Sequence, residues 1–232
     1  MRQIQPTVLI SGFTAAGKTT HARLLAAHLG FEYLGASQLR RALLRSPADD
    51  LGREWDPAVD LRRQKTPACD RMLDDLISRK IQASARPLVV DAWLQPWLST
   101  DDAAIRVWIE SSSESRTHKA TVTFLRTQAE VPPDVGTQIA DKDEFSCRMF
   151  SKLYGIEFGP NPRVFDLIID NSGYMDRPSI EASNVGIAQF EPMLEQAIEE
   201  ECTRRRISLP TASCVRRNQE LPISAGMTVR FG

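Results

Sequence analysis

Hydrophobic positions along the chain follow two alternating patterns, short β-branched runs and longer stretches with helical spacing. Residues 7–11 are apolar and β-branched, as is typical of a buried strand, whereas residues 19–29 repeat apolar side chains at i, i+3, i+4 and i+7. Such runs predict strands at residues 7–11, 31–34, 87–91, 105–109 and 165–170. Helices are predicted at residues 19–29, 35–45, 67–83, 112–125, 141–154 and 179–202. This alternation predicts a mostly five-stranded parallel sheet in a three-layer α/β/α fold.

Three segments lack both patterns. Residues 46–66 and 127–140 are interrupted by prolines and glycine, so both are predicted to be loops. Residues 201–232 hold six arginines and two glutamates, and their apolar pattern is weak. We therefore expect one domain over residues 1–200 and a basic C-terminal extension over residues 201–232.

Composition narrows the class of protein. The chain has 232 residues, 42% apolar and 25% charged side chains, and a net charge of −1. This balance is typical of globular proteins and disfavours a globally basic nucleic-acid-binding protein. Apolar runs are far shorter than the ~20 residues of a membrane-spanning helix, and the N-terminus has no secretory pattern. Because the four cysteines are scattered, we expect a cytoplasmic protein without a disulfide framework. From the charge balance and the short apolar runs, we expect no nucleic-acid partner and no membrane partner.

The segment between the first strand and the first helix has a specific motif. Gly12 to Thr19 matches G-x-x-x-x-G-K-[ST], the phosphate loop whose backbone amides cradle phosphate oxygens. In this motif Lys18 bridges the β- and γ-phosphates of ATP, and the Thr19 hydroxyl binds Mg²⁺. The residues predicted to contact ATP here are Gly12, Phe13, Thr14, Ala15, Ala16, Gly17, Lys18, Thr19 and Thr20.

A carboxylate at the end of the third strand extends this site. Asp91 follows Leu88-Val89-Val90, and the carboxyl ends of neighbouring parallel strands face the nucleotide. We expect Asp91 to hold Mg²⁺ through a water molecule; the alternative is a helix N-cap or loop carboxylate.

The distribution of charged residues indicates the chemical class of the phosphoryl acceptor. Kinases that phosphorylate a hydroxyl usually need a carboxylate base, and residues 35–38 after the second strand contain none. A phosphate acceptor is already an anion and needs cations to offset repulsion between two phosphates. The candidate cations are Arg40, Arg41, Arg45, Arg62, Arg63 and Lys65. A solvated helix face is the alternative interpretation of each.

Several segments together resemble one family. They are residues 12–19, 35–40, 56–60, 89–97, 115–116, 143–156 and 165–172. Over about residues 6–198 the chain resembles the cytidylate kinase family of nucleoside monophosphate kinases, in particular its short archaeal-type branch. The resemblance implies a phosphate-loop kinase fold with a monophosphate-binding region near residues 35–85 and a lid near residues 116–150. It also implies that Arg40 grips the acceptor phosphate and that Arg116 packs on the donor adenine.

The chain departs from the family pattern at defined positions. Trp93 stands where the family usually has an arginine that reaches the acceptor, and Met149 stands at a lid position that favours arginine. Two further lid positions hold Lys119 and Lys142, which keep the charge but lose the bidentate fork of arginine. Lys119, Lys142 and Arg148 are the candidate lid cations, and Arg45 or Arg63 would assist Arg40. Trp93 either reshapes the acceptor pocket or packs in the core.

These observations predict ATP- and Mg²⁺-dependent phosphoryl transfer to a nucleoside monophosphate similar to CMP or dCMP. One alternative is a kinase of another small molecule, with Asp91 as the base for a hydroxyl acceptor. The other is a nucleotide-binding regulator without turnover, whose arginine-rich tail contacts a partner or RNA. His21 and His28 are predicted to be partly exposed residues of the helix after the phosphate loop.

Overall fold

A parallel sheet forms the centre of the protein. The computed structural model describes residues 6–44, 67–207 and 209. The sheet has five strands in the order β2-β3-β1-β4-β5, and each neighbouring pair is parallel. The strands are β1 (Thr7–Ser11), β2 (Glu32–Gly35), β3 (Leu88–Asp91), β4 (Ile105–Glu110) and β5 (Leu167–Asp170). The predicted α/β fold class with a five-stranded parallel sheet is confirmed.

Helices connect the strands. They are α1 (Lys18–Leu29), α2 (Ala36–Leu44), α3 (Pro67–Ala83), α4 (Gln95–Leu98), α5 (Ser113–Arg126), α6 (Val135–Tyr154) and α7 (Ile180–Arg204), with a 3-10 helix at Ser172–Tyr174. Most lie within a few residues of the predicted bounds. Within the described residues, none of these helices is both long and apolar enough to cross a membrane.

The prediction of a loop throughout residues 127–140 is wrong at its C-terminal end. Helix α6 begins at Val135, two residues after the second proline of this segment, with Asp134 as its N-cap. Prolines are compatible with the entry to a helix, because the first turn does not need their missing amide. Val135 and Ile139 lie one turn apart and are buried in a cluster with Ala120 and Phe124 of α5. This i, i+4 pair is the signal that extends the helix.

Both faces of the sheet are covered. In β1, Val8 and Ile10 pack in a cluster that includes Leu194 of α7, whereas Leu9 packs in another with Ile77 of α3. Successive side chains of a strand point to opposite faces, so the strand is buried on both sides. This arrangement places helices on each side of the sheet, as the alternating pattern predicts.

An aromatic cluster lies beside the phosphate loop. It joins residues of the loop, α4, β4, α6 and the segment before β5, mostly in edge-to-face contacts. Ring centroids are 5.1 Å apart for Phe13 and Trp108 and 5.3 Å apart for Trp108 and Phe158. The aromatic cluster comprises Phe13, Trp93, Trp97, Trp108, Phe150, Phe158 and Phe165.

The packed part of the chain continues past residue 200. Cys202 is 2% exposed and belongs to the main apolar cluster. Arg205 forms ion pairs with Asp166 and with Glu201. Helix α7 therefore remains attached to the domain beyond the predicted boundary. Residues 210–232 of the predicted extension, and residues 45–66 of the predicted monophosphate-binding region, lie outside the described residues.

Candidate active site

The phosphate loop turns sharply between β1 and α1. Gly12 has φ +151°, and a Cβ at this position would lie 2.6 Å from the carbonyl oxygen of Ile109. Gly17 has φ +91° and immediately precedes the first residue of α1. A side chain is disfavoured at both positions, by close approach of β4 at the first and by backbone conformation at each. The two motif glycines thus allow the loop to lie against β4 and to enter α1.

The motif lysine and threonine both have partners at the loop. Lys18 donates from Nζ to the carbonyl oxygen of Phe13 at 2.6 Å. Thr19 donates from Oγ1 to Oδ2 of Asp91 at 2.5 Å. Asp91 is 6% exposed and pairs in register with Ile10 of β1, which explains how the end of β3 reaches α1. The two residues predicted to hold Mg²⁺ therefore lie within hydrogen-bonding distance of each other, while their binding of the ion stays a prediction.

Tyr33 of β2 completes the surroundings of Asp91. Its hydroxyl donates to Oδ2 of Asp91 at 3.2 Å. Burial, together with the negative charge of Asp91, raises the pKa of Tyr33. A hydroxyl and a carboxylate oxygen at the end of the phosphate loop are the hard oxygen ligands that Mg²⁺ prefers. Thr19 and Asp91 thus fit a magnesium site.

Helices α5 and α6 contact the phosphate loop through an ion pair that sequence reasoning missed. Asp143 accepts through Oδ1 from the backbone amide of Thr14 at 2.9 Å, and its Oδ2 pairs with Nη1 of Arg116. Arg116 also donates to the carbonyl oxygen of Thr14 at 3.2 Å. Its guanidinium carbon lies 5.4 Å from the ring centroid of Phe13. Arg116 is thus held on the loop, while its predicted contact with an adenine stays a prediction.

A second set of contacts reaches the loop from the end of β5. Asn171, which is 1% exposed, donates from Nδ2 to the carbonyl oxygen of Ala16 at 2.9 Å. Its Oδ1 accepts from Nζ of Lys119 at 2.5 Å, and Lys119 also donates to Ser111 at 2.9 Å. Burial lowers the pKa of Lys119 to about 8, against the opposing effect of Asp170. Lys119 is thus linked to the phosphate loop through Asn171.

The other two candidate lid cations lie on different faces of α6. Lys142 is 5% exposed, and its Nζ lies 5.9 Å from the ring centroid of Trp93. Met149, seven residues later, shares this buried face, as the helical repeat requires. Arg148 instead forms an i, i+4 pair with Glu144 in which both side chains are 66% exposed. The structure does not bring Arg148 to the phosphate loop.

The predicted acceptor residues are only partly described. Arg40 is a half-buried residue of α2, whereas Arg45 and Arg63 lie outside the described residues. Trp93 is half-buried in the aromatic cluster, 5.6 Å from Phe150 between ring centroids. Its carbonyl oxygen accepts from Ser11 at 2.7 Å. Trp93 thus packs in the cluster and also faces the ammonium of Lys142.

The prediction that His21 is partly exposed is wrong. His21 is 4% exposed, is hydrogen-bonded to Glu191 of α7 at 2.5 Å, and packs 4.7 Å from the ring of Phe190. Leu25, one turn later, is fully buried, so His21 continues the buried face of α1. His28, in contrast, is exposed and pairs with acidic residues of α7, in agreement with its prediction.

Solved structures with low overall similarity include two small-molecule kinases. Shikimate kinase from Bacteroides thetaiotaomicron has a TM-score of 0.47 and 11% identity, covering 82% of this chain and 98% of that chain. A gluconokinase from Sinorhizobium meliloti has a TM-score of 0.43 and 13% identity, covering 83% of this chain and 97% of that chain.

Sequence comparison finds curated kinases. The cytidylate kinase of Pyrobaculum neutrophilum is 28% identical over 167 residues, which cover 71% of this chain and 83% of that protein. The cytidylate kinase of Pyrococcus furiosus is 25% identical over 166 residues, covering 71% and 79%. No protein-family model matches the chain. The similarity to these curated proteins supports the assignment of this chain as a kinase, and therefore as a phosphotransferase.

Proposed function

We propose that this protein transfers the γ-phosphoryl group of ATP to a nucleoside monophosphate similar to CMP or dCMP, producing ADP and the diphosphate. The observation that carries the proposal is the phosphate loop, with Lys18 on it and the Thr19–Asp91 pair at its end. Loop amides and an ammonium bind the phosphates of the donor and orient them for in-line attack. The names of the curated relatives support the class of acceptor.

Magnesium would be held by Thr19 and Asp91, in addition to oxygens of the phosphates and water. When bound, the ion neutralises charge on the donor phosphates. Lys18 supplies a further positive charge, and the half-buried Lys119 and the buried Lys142 are candidates to offset the remaining negative charge of the transition state. Because effective charge interactions strengthen away from water, these groups contribute more here than they would on the surface.

The acceptor phosphate would be bound by Arg40, with Arg45 or Arg63 assisting. An acceptor phosphate oxygen attacks the γ-phosphorus, the bond to the bridging oxygen breaks, and its electron pair leaves with ADP. The attacking oxygen is already anionic, so no general base is required. This assignment is consistent with Asp91, whose Oδ2 already accepts hydrogen bonds from Thr19 and Tyr33.

A different small-molecule acceptor is the second candidate, and one observation favours it. Trp93 and Met149 stand at positions where the resemblance to cytidylate kinases implies arginine; both belong to one apolar cluster, and the Trp93 ring lies 5.9 Å from Nζ of Lys142. An acceptor pocket bounded by an indole ring and an ammonium has less positive charge than one bounded by arginines.

An acceptor screen with Mg²⁺ and ATP tests the proposal. CMP, dCMP, UMP, AMP, non-nucleotide phosphates and small alcohols are compared by ADP release, and product is identified by mass. We expect CMP or dCMP among the substrates and a loss of about 10³-fold in Lys18→Ala, since that variant removes a charge aimed at the transferred group. Lys152→Ala, which removes an exposed lysine of α6, is the control.

Two outcomes would contradict the proposal. Full turnover in a folded Lys18→Ala variant would place the reaction at another site. Tight ATP binding without transfer to any acceptor would instead favour a nucleotide-binding regulator.

A further inference from the structure

The carboxylate of Asp143 lies where the phosphate loop can receive an anion. One of its oxygens accepts from the Thr14 amide at 2.9 Å, and the other pairs with the guanidinium of Arg116. A backbone amide of a phosphate loop and a guanidinium are the two donor types that proteins use most effectively for phosphate oxygens. Asp143 therefore makes the contacts that a phosphate oxygen would make.

Two buried donors beside this carboxylate have unused capacity. Among the described residues, neither Oγ1 of Thr14 nor Nε of Arg116 has a hydrogen-bond partner, although both atoms are buried. A buried donor without a partner is costly, and such groups in a folded protein call for an explanation. Both atoms belong to the residues that already hold the Asp143 carboxylate, so the same place offers more donors than one carboxylate uses.

The charges around Arg116 point in the same direction. Phe13 covers part of the guanidinium at 5.4 Å, and both Arg116 and Asp143 have side chains only 11% exposed. The positive charge of Arg116 also lowers the pKa of Lys119, so the two cations are close enough to repel each other. An anion beside Arg116 offsets the charge of this buried guanidinium. Asp143 supplies it within the chain.

We propose that Asp143 is an internal counter-anion that donor phosphates displace, which turns Arg116 into a phosphate-binding residue. The inference rests on the proposed binding of a nucleoside triphosphate to the loop. In the free protein the Asp143 carboxylate holds Arg116 on the loop. When the donor binds, its phosphate oxygens take over the contacts to Arg116 and Thr14. This role for Arg116 differs from the packing on adenine that the family resemblance implies.

The Asp143→Asn variant separates this role from a purely structural one. Asparagine keeps an oxygen that can accept from the Thr14 amide, but it removes the negative charge that competes with the donor. The free variant should melt at a lower temperature, because Arg116 loses its buried counter-charge. Its affinity for a non-hydrolysable ATP analogue with Mg²⁺ should nevertheless rise by about fivefold or more, since a carboxylate no longer repels the phosphates.

Binding is measured by titration calorimetry, and the melting temperature is measured with and without the analogue. At a fixed ligand concentration, a ligand that binds the folded state more tightly raises the melting temperature further, so the shift with analogue should be larger in Asp143→Asn than in the wild type. Glu144→Gln is the matched control, because it removes the neighbouring exposed carboxylate of α6. It should change neither quantity. Asp143→Ser, which keeps an oxygen without charge, replaces the asparagine variant if that variant does not fold.

Equal or weaker binding by a folded neutral variant of Asp143 would overturn the inference, because a structural residue lowers stability without raising affinity. The proposed function fails separately. If the neutral variants bind the analogue more tightly and no acceptor is phosphorylated by the wild type, the inference holds and the proposed function does not. If neither wild type nor variants bind the analogue, both are wrong.

Discussion

The two sides of the candidate active site are built in different ways. On the donor side, the backbone of the phosphate loop is held by side chains from distant elements, including Asp143 of α6 and Asn171 after β5. On the proposed acceptor side, Trp93 packs in the aromatic cluster, and Nζ of the buried Lys142 lies 5.9 Å from its ring centroid. The surroundings of the phosphate loop are polar and hydrogen-bonded, whereas the surroundings of Trp93 are largely apolar.

This difference explains why donor binding is easier to predict from the sequence than acceptor binding. Donor binding depends on backbone amides, so it requires glycines at fixed spacing and tolerates variation between them. Acceptor binding depends on the identity of each side chain, so one substitution changes it. The acceptor side is therefore where this chain can differ most from the cytidylate kinases that it resembles.

After Lys18→Ala, the largest expected effect is also on the donor side, at Asp91. We expect Asp91→Asn to lower the rate of phosphoryl transfer by about 10²- to 10³-fold, because a neutral amide is a weaker ligand for Mg²⁺ and no longer offsets its charge. Initial rates measured over a range of Mg²⁺ concentrations check this. The variant should need more Mg²⁺ for half-maximal rate.

Tyr33→Phe is the matched control for this variant. It removes a hydroxyl that donates to Asp91 at 3.2 Å but leaves the carboxylate in place. It should change the rate only a few-fold. If Asp91→Asn keeps most of the wild-type rate at saturating Mg²⁺, Asp91 is a structural partner of Thr19 and not a metal ligand.

An intermediate effect is expected at Lys119, where the pH dependence is informative. Burial lowers the pKa of Lys119 to about 8, so the ammonium is charged below this pH and neutral above it. If its charge assists transfer, the rate should fall above pH 8 by up to about tenfold per pH unit. Lys119→Arg stays charged in this range and should lack that decrease. A decrease of equal size in both proteins would assign it to another group.

Above pH 8, the contribution of Lys119 to the free energy of unfolding should increase while the rate of phosphoryl transfer decreases. Between the folded pKa of about 8 and the usual value of 10.5, the unfolded chain binds more protons at this lysine than the folded protein does. The contribution of Lys119 to the free energy of unfolding therefore increases as the pH rises through this range. Urea denaturation of wild type and Lys119→Met at pH 7.5 and 9.5 measures the difference. A loss of activity above pH 8 is then distinguishable from unfolding.

The sequence predicted the strands and the phosphate loop well because both depend on local patterns. The interaction of Thr19 with Asp91 followed from the parallel sheet, which brings the ends of β1 and β3 together. Asp143 and Asn171 were missed because they contact backbone groups of residues 129 and 155 positions away, respectively. Contacts between residues so far apart in the chain leave no motif of fixed spacing in the sequence. The burial of His21 was also missed, since its partner Glu191 lies on a helix that only the fold places beside α1.

The smallest expected effect tests the acceptor side at Trp93. If the indole ring reduces the use of CMP, Trp93→Arg should improve kcat/KM for CMP by about three- to tenfold, because an arginine restores a bidentate donor for the acceptor phosphate. Trp93→Phe is the matched control, since it keeps an apolar ring in the aromatic cluster and adds no charge.

The guanidinium introduced by Trp93→Arg would also lie near the ammonium of Lys142, which is 5.9 Å from the present ring centroid. The two cations repel each other in the free protein, which limits the improvement in kcat/KM. An acceptor phosphate bound between them relieves this repulsion. The improvement should therefore be confined to phosphate-bearing acceptors. Equal kcat/KM for CMP in both folded variants would mean that Trp93 contributes to packing and not to the choice of acceptor.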